Sequence, residues 1–533
     1  MEAFMKNQFS IKIMLWCAAL VSGIVVSAFG AGPKGTVYQF TVPKQGSMVA
    51  NPTYYCWIPE SVTTLRCVIV HQHGCTREGD ASQMMGDLQW LTFAKKWHAA
   101  FIAPSLTTGS DCNNWDQIAN GSGNTYLAAL DTLAKKSGHA EISTIPWALW
   151  GHSGGSMWST AMLGKYPQRI AVVIAQACGV DVSNVPAALK VPVLHHNGRK
   201  DMCYNDSYFG NGRAKGALWA HAINPHPLWV NGSCAPPNPL CWDTTVYGHA
   251  PWNLRMIAIP WMDIALTARM PDKAGDSVLK DMDTSNAWLG DTGTRAIASA
   301  ATFTGNKLKA CWFPNEAFAR MWAEYMANGI LKDSTPVPPA PHNLTGTYAN
   351  RQITLKWDAD ADMEMGIKTF IIYRNGSTLQ TMQWPNAPAT LFTTVKGFQR
   401  WEDGDQPDPS TAPAMTYTDA NLSDTGTYLY QVSTVNWADM SGPKSDALAL
   451  KSGQITEVRA FQNRLATTGT PVSLYCNLGN ARRNLRPGVV DIYDIRGCLL
   501  KSVALKDGGT VDMRSLLGPS AAGKVVVVKS RTR

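Results

Sequence analysis

The run Pro146-Trp-Ala-Leu-Trp-Gly151-His-Ser153-Gly-Gly155-Ser156 constrains this chain more than any other stretch. An apolar segment ends in Gly-x-Ser-x-Gly, and a helix-like segment, Ser156 to Tyr166, follows at once. This is the strand–turn–helix context in which a serine is held on a tight elbow with its hydroxyl exposed. Glycine is needed on both sides, because a side chain there would collide with the neighbouring strand or helix as the backbone turns. The five-residue pattern is weak alone; its flanks give it meaning.

Those flanks belong to a longer alternation. Tyr54 to Pro59 and Leu65 to Val70 read as strands, Leu88 to Trp97 as a helix and Ala99 to Ala103 as a short buried strand. Thr125 to Lys136 is helix-like, Pro146 to Trp150 strand-like, and Ile170 to Ala175 and Val191 to His195 are further strands. Such β-α-β-α order predicts an α/β fold: a doubly wound, mostly parallel sheet covered by helices on both faces. The stiff segment Ser334-Thr-Pro-Val-Pro-Pro-Ala-Pro341 then marks a boundary, beyond which short strands dominate.

A chain of 533 residues, 45% hydrophobic and 16% charged, holds several globular domains. Residues 1–30 read as a secretory signal: Lys6 and Lys12 precede the apolar run Ile13 to Phe29, with small residues at Ala28, Gly30 and Ala31. The expected order is a catalytic domain over 31–333, a Pro-rich linker over 334–342, a β-domain over 343–452 and a small all-β domain over 453–533. The mature protein is expected to be secreted or at the cell surface, without stable membrane insertion. Export permits disulfides. Of twelve cysteines, removing Cys17 with the signal leaves an odd number, so one at least is unpaired within the chain. Cys234 with Cys241, Cys476 with Cys498, and Cys75 with Cys112 are the candidate pairs. The net charge of +8 is a property of the tail, since residues 451–533 carry 14 Lys and Arg against 5 Asp and Glu. No aromatic–basic interleaving accompanies it, and no nucleic-acid partner is expected.

A serine hydroxyl needs an imidazole to take its proton, and the imidazole needs a carboxylate to fix its tautomer. In doubly wound hydrolases the chain order is Ser, acid, His. Downstream of Ser153, the strand Val191 to His195 leads to Asp201, placed where such sheets bind ligands at their carboxyl edge. Asp201 is the expected acid, with Asp181 and Asp206 as alternatives. His249, in Tyr247-Gly-His249-Ala-Pro-Trp252 just before the helix-like Met256 to Arg269, is the expected base. His221, in a helix-like stretch, and His226, beside prolines, read as structural; His195 and His196 read as wall residues. The developing oxyanion needs donors, for which the backbone N–H of Gly154 and that of Cys75 (then Gly74) in His71-Gln-His73-Gly74-Cys75 are the candidates. No cofactor or metal is expected, as no His/Asp cluster has ligand spacing.

With these residues in place, residues 31–330 resemble the α/β-hydrolase superfamily. His73-Gly-Cys-Thr76, Asp111-Cys-Asn-Asn-Trp115 and Gly151-His-Ser153-Gly-Gly155 are similar to the secreted poly(3-hydroxybutyrate) depolymerase and feruloyl/acetyl-xylan esterase group. That resemblance implies a metal-free serine esterase acting on a polymer or its side groups. His152 and Gly154 depart from the small or apolar residues usual around the serine, and the cysteine pair that joins the two catalytic loops in tannase-like esterases is missing. Ile353-Thr-Leu-Lys-Trp357, Ile372-Tyr-Arg-Asn-Gly376 and Tyr428 to Asn436 resemble a fibronectin type III domain with a long insertion, with Trp357 and Tyr430 expected in its core. Val489-Val-Asp-Ile-Tyr-Asp-Ile-Arg-Gly497 with Val525 to Val528 resembles the C-terminal sorting domain of type IX secretion systems, although the last strand lacks the usual Gly-hydrophobic-Tyr signature.

Trp115, Trp242 and Trp252 are candidates to stack on sugar or aryl rings. Acyl or feruloyl esters of plant polysaccharides are the leading substrate class and a polyester the runner-up. A peptidase uses the same triad. The alternative of a different class is a non-catalytic polysaccharide-binding or adhesion protein on a hydrolase scaffold. Polymer substrate and, through the C-terminal domain, export machinery are the expected partners.

Overall fold

Strands β3 (Cys67–Gln72), β5 (Trp147–His152) and β6 (Ile170–Gln176) are buried at every position, as a parallel sheet covered on both faces requires. They form the middle of an eight-stranded sheet completed by β1 (Gly35–Thr41), β2 (Thr53–Pro59), β4 (Ala99–Ser105), β7 (Val193–Gly198) and β8 (Trp219–Asn224). Its order is β1-β2-β4-β3-β5-β6-β7-β8. The pairs β1/β2 and β2/β4 are antiparallel, and every pair from β4/β3 to β7/β8 is parallel. The structure is a computed structural model describing residues 33–60, 62–75, 80–106, 114–198, 202–224, 251–329, 331, 337–367, 369–382, 415–420, 422–423, 426–436, 439–451, 458–459, 488–494, 499–505 and 526–531. For 80, 83, 198, 202–206, 224, 251–254 and everything from 458 onward it describes the backbone alone.

Helices cover both faces, and the alternation of side chains along β5 shows it. Trp147 and Trp150 differ by an odd number of positions and so point to opposite faces. Trp147 meets Tyr126 of α3 (Ser122–Ser137) at 5.1 Å, and Tyr126 also meets Trp158 of α4 (Gly154–Lys165) at 5.3 Å. On the other face Trp150 meets Trp90 of α2 (Leu88–Lys96) at 5.2 Å, and Arg255 of α6 (Pro251–Arg269) lies over the same Trp90 ring. Between α1 (Asp80–Gln83) and the C-terminal α7 (Glu316–Asn328) the remaining helix is α5 (Met202–Ala214). Local signals set the ends of these helices. Asp87 accepts from the N–H groups of Gln89 and Trp90 to begin α2, and Asn315 accepts from Phe318 to begin α7. Gly138, at φ 80°, terminates α3 in the left-handed region that glycine tolerates.

His221 departs from its helix-like surroundings. It lies in β8, paired in register with His195 of β7. The Ala-rich segment is helical by propensity alone, but an open parallel edge next to β7 recruits it as a strand.

A small antiparallel sheet, β10 (Ile297–Ser299), β9 (Trp288–Gly290) and β11 (Cys311–Phe313), follows the main sheet. Beyond it, two four-stranded antiparallel sheets face each other as a sandwich. One has the order β16 (Thr416–Asp419), β13 (Gln352–Asp358), β12 (His342–Ala349), β19 (Val458–Arg459); the other β15 (Ser377–Thr381), β14 (Thr369–Arg374), β17 (Thr427–Val435), β18 (Leu448–Lys451). Trp357 and Tyr430 are both buried in its core, with Trp357 edge-on to Phe370 at 5.3 Å. A last antiparallel sheet has β20 (Gly488–Asp494) between β21 (Leu499–Leu505) and β22 (Val526–Arg531).

Candidate active site

Ser153 joins β5 to α4 with φ 51° and ψ −118°, a conformation that a non-glycine residue adopts only when its surroundings impose it. The surroundings do so from three sides. Its N–H donates to the Gln176 carbonyl at the end of β6 (3.0 Å), while its own carbonyl accepts from Ser156 and Met157 in the first turn of α4. A Cβ on Gly151 would stand 2.1 Å from the Gly155 carbonyl oxygen, and one on Gly155 would stand 2.4 Å from that of Gln72. Both glycines are thus sites of close backbone approach. Between Ile145 and Ser156, Ser153 alone is not buried. The elbow presents one hydroxyl at the carboxyl edge of the sheet and hides the rest.

The loop after β3 lies against the elbow. A Cβ on Gly74 would come within 3.5 Å of the Ser153 Cβ, so the Gly74–Cys75 backbone borders the serine. His73 holds this loop. Its Nδ1–H donates to the Gly74 carbonyl (2.5 Å) and its Nε2 accepts from the Leu106 N–H beyond β4 (3.1 Å), which defines the neutral Nδ1–H tautomer. Cys75 is disulfide-bonded. Its partner is not among the described cysteine side chains, since Cys56, Cys67, Cys178 and Cys311 are free thiols. Cys112 lies outside the described residues. The Gly154 N–H begins α4, where helix geometry leaves the first amides without intrahelical acceptors and the dipole favours negative charge. Gly74 is therefore brought against Ser153, with Gly154 and Cys75 the adjacent residues of the two segments.

Asp201, Asp206, His226, His249 and Trp242 lie outside the described residues or side chains, as does the side chain of Trp252. The chain places Asp201 three residues past the end of β7 and His249 two residues before the start of α6. Asp181, an alternative acid, has both oxygens engaged: Oδ1 accepts from the Ser183 N–H (2.8 Å) and Oδ2 from the Asn211 amide (2.7 Å). Burial works to raise its pKa, but these donors and the nearby Lys215 charge outweigh it and hold the carboxyl below its ordinary value. Asp181 acts as a staple between the loop after β6 and α5.

The histidines of β7 and β8 are structural. His195 is enclosed by Phe209 and Trp219; burial, then the neighbouring His221, drives its pKa down to about 3, so it stays neutral. His196 meets the Tyr325 hydroxyl at 2.8 Å, and His221 meets the Asn197 side-chain carbonyl at 3.0 Å. Trp115 requires a correction. It is 1% exposed and packs against the His73 ring at 5.2 Å. It supports the loop after β3 from within and offers no face to a ligand, because ring burial against His73 outcompetes exposure.

Solved structures similar to this chain include three hydrolases with TM-scores of 0.28 to 0.29. A thermostable esterase is 16% identical, with 35% of this chain and 54% of that one covered and a TM-score of 0.29, so the match spans about half of that esterase. A mutant of the feruloyl esterase module from Clostridium thermocellum, complexed with sinapinate, is 10% identical over 37% of this chain and 85% of that one, at 0.28. An S-formylglutathione hydrolase from Agrobacterium tumefaciens is 12% identical over 37% and 88%, at 0.28. No family model matches the chain, and no curated protein does. The elbow geometry, rather than these low similarities, carries the function proposed below.

Sequence inspection missed two supports of the site. The Gln176 carbonyl that anchors Ser153 belongs to a strand contiguous only in space, and backbone acceptors leave no signature in residue identity. The His73 imidazole was legible as part of the loop but not as its brace.

Proposed function

We propose that this chain is a secreted serine carboxylic ester hydrolase that removes acyl or feruloyl groups from plant polysaccharides. The observation that carries this is Ser153 at φ 51° on a strand–helix elbow, the one accessible residue in a buried run. Ser153 Oγ attacks the ester carbonyl carbon while His249 accepts its proton and Asp201 orients and stabilises the imidazolium. The carbonyl oxygen becomes an oxyanion facing the N–H groups of Gly154 and Cys75. Collapse expels the sugar alkoxide, which takes the proton from His249. Water, deprotonated by His249, then releases the acid and restores the serine.

The N-terminal leader, the fibronectin type III-like sandwich and the sorting-like terminal sheet fit an enzyme exported to meet insoluble polymer. The test is hydrolysis of p-nitrophenyl acetate, methyl ferulate, acetylated xylan and poly(3-hydroxybutyrate) by the mature protein beside Ser153→Ala, with fluorophosphonate labelling. Turnover that falls about 10³-fold or more in the variant, with labelling confined to Ser153, supports the proposal. Absence of turnover and labelling in the wild type overturns it in favour of a binding protein.

A further inference from the structure

A cleft of about 590 Å³ opens at the amino edge of the sheet, remote from Ser153. Its walls come from the turns that feed β5, β6 and β7 and from the segment after α6: Thr144, Arg169, Lys190, Arg269 and Leu279 represent each. Ser153 lies at the other end of β5, about 20 Å away for a strand of that length.

The charges in this cleft are unbalanced. Arg269 is buried and donates Nη1 to the Ile170 and Ala171 carbonyls (2.9 Å each) and Nε to the Lys280 carbonyl (3.2 Å). Arg169 donates Nη2 to the Ile145 carbonyl (3.0 Å) and lies over the Trp147 ring at 4.1 Å. These partners fix both guanidinium planes without neutralising them. Neither arginine, nor the exposed Lys190 at the rim, forms an ion pair with a carboxylate among the described residues. Asp281 on the cleft wall and Asp131 near Arg169 are the acidic groups that face them, and both act only through space. Burial pushes the pKa of both arginines down, that of Arg269 to about 10, which marks cations short of counter-charge.

The rest of the lining is suited to a sugar. Ser143, Thr144, Gln168 and Ser277 offer hydroxyl and amide groups, while Val278, 80% exposed, and Leu279 offer apolar surface. The volume exceeds what a single phosphate or sulfate fills and lies in the range of sites for ligands of several rings. The geometry points to a second, non-catalytic site that binds an acidic oligosaccharide, its uronate carboxylates on Arg169, Arg269 and Lys190 and its hydroxyls on the Ser143–Thr144 turn. Guanidinium groups held in fixed planes suit carboxylates in particular. This site stands whether or not Ser153 acts on esters.

The test is titration of the full mature chain with polygalacturonate oligomers, neutral galactan oligomers and inorganic phosphate at low and high salt. Lys190→Glu and Asp281→Asn both alter exposed side chains and leave the half-buried Arg169 and the buried Arg269 in place. Expected are binding of the polygalacturonate oligomer alone, weakening of about 10-fold or more in Lys190→Glu, tightening in Asp281→Asn, and loss at high salt. Hydrolysis of a small soluble ester should be the same in both variants as in the parent. Equal binding of the neutral oligomer, phosphate binding as tight as the uronate oligomer, or unchanged affinity in Lys190→Glu would each overturn it.

Discussion

Arg255 and Asp87 face each other with no exposure at either side chain, at 2.8 Å between Nη2 and Oδ2. Arg255 stands on α6 and Asp87 caps α2, so the pair ties the helix that begins just after His249 to its neighbour α2 on the same face of the sheet. Arg255 also reaches the Gln89 side-chain carbonyl (3.1 Å), and Gln89 Nε2 donates to the Met363 carbonyl of the sandwich (2.7 Å). One buried network thus joins α6, α2 and the sandwich. Removing one member leaves a charge in a dry interior, which costs more than the pair itself contributes. Asp87→Ala should therefore lower unfolding free energy by about 3–5 kcal/mol, the lost helix cap included. Replacing both partners with apolar residues should cost less. Urea denaturation of the two variants decides it; additive losses would mean that the pair is not coupled.

The close approach at Gly155 gives a sharper prediction for the elbow. A methyl group there would sit 2.4 Å from the Gln72 carbonyl and 2.5 Å from that of His73, both backbone atoms. Gly155→Ala should push α4 away from the loop after β3 and reduce kcat/KM on a soluble ester by about 10²-fold or more, the cost of misplacing groups by an ångström. The Ser137→Ala change, at the C-terminal end of α3 where the hydroxyl donates to the Leu133 carbonyl, serves as the comparison. Kinetics on both variants provides the check.

Where the sandwich meets the first unit, stability should depend on pH. Burial first, then the Asp362 charge, raises the Glu364 carboxyl to about 7, whereas it ionises near its ordinary value once unfolded. The folded state therefore holds a proton that the unfolded state releases, and unfolding free energy falls as pH rises from about 4.5 to 7. That stability is fully present below the unfolded pKa and lost above the folded one. Melting temperatures measured from pH 4.5 to 8 should fall less in Glu364→Gln than in the parent. Parallel curves would show that Glu364 does not titrate across the contact.

Thiol reactivity should separate the described free cysteines. Burial pushes the Cys56 thiol far up and those of Cys67 and Cys311 to about 12, so all three are thiols at neutral pH. Cys178, partly exposed beyond β6, is reachable. Labelling of the native protein with an alkylating reagent, followed by peptide mass mapping, should modify Cys178 long before the other three. Equal modification of Cys67 would place that strand in local exchange with solvent.

The Cys75 disulfide predicts a link between redox state and catalysis. It restrains Cys75, whose backbone N–H is the proposed second oxyanion donor. Reduction should lower kcat more than it raises KM, because a loosened donor is lost chiefly from the transition state. Steady-state kinetics before and after reduction, with the melting temperature followed in parallel, measures it. Unchanged kcat would remove Cys75 from the oxyanion hole.

The sequence alone determined the order of strands and helices around Ser153, the elbow itself and the two glycines beside it. These are local properties: hydrophobic runs in buried strands, helical periodicity and the demand for glycine at a sharp turn are all written in adjacent residues. Tertiary structure decided what depends on distant segments meeting. Arg255 and Asp87 are 168 residues apart, and nothing near either announces the other. Pairing with β7 made a strand of the helix-like segment around His221. The His73 ring turned Trp115 from a candidate platform into a buried support. The cleft at the amino edge exists only because the turns before three parallel strands are brought side by side. Local sequence sets what each segment prefers; burial and pairing between remote segments choose among those preferences, because their free energies appear only once the chain has closed on itself.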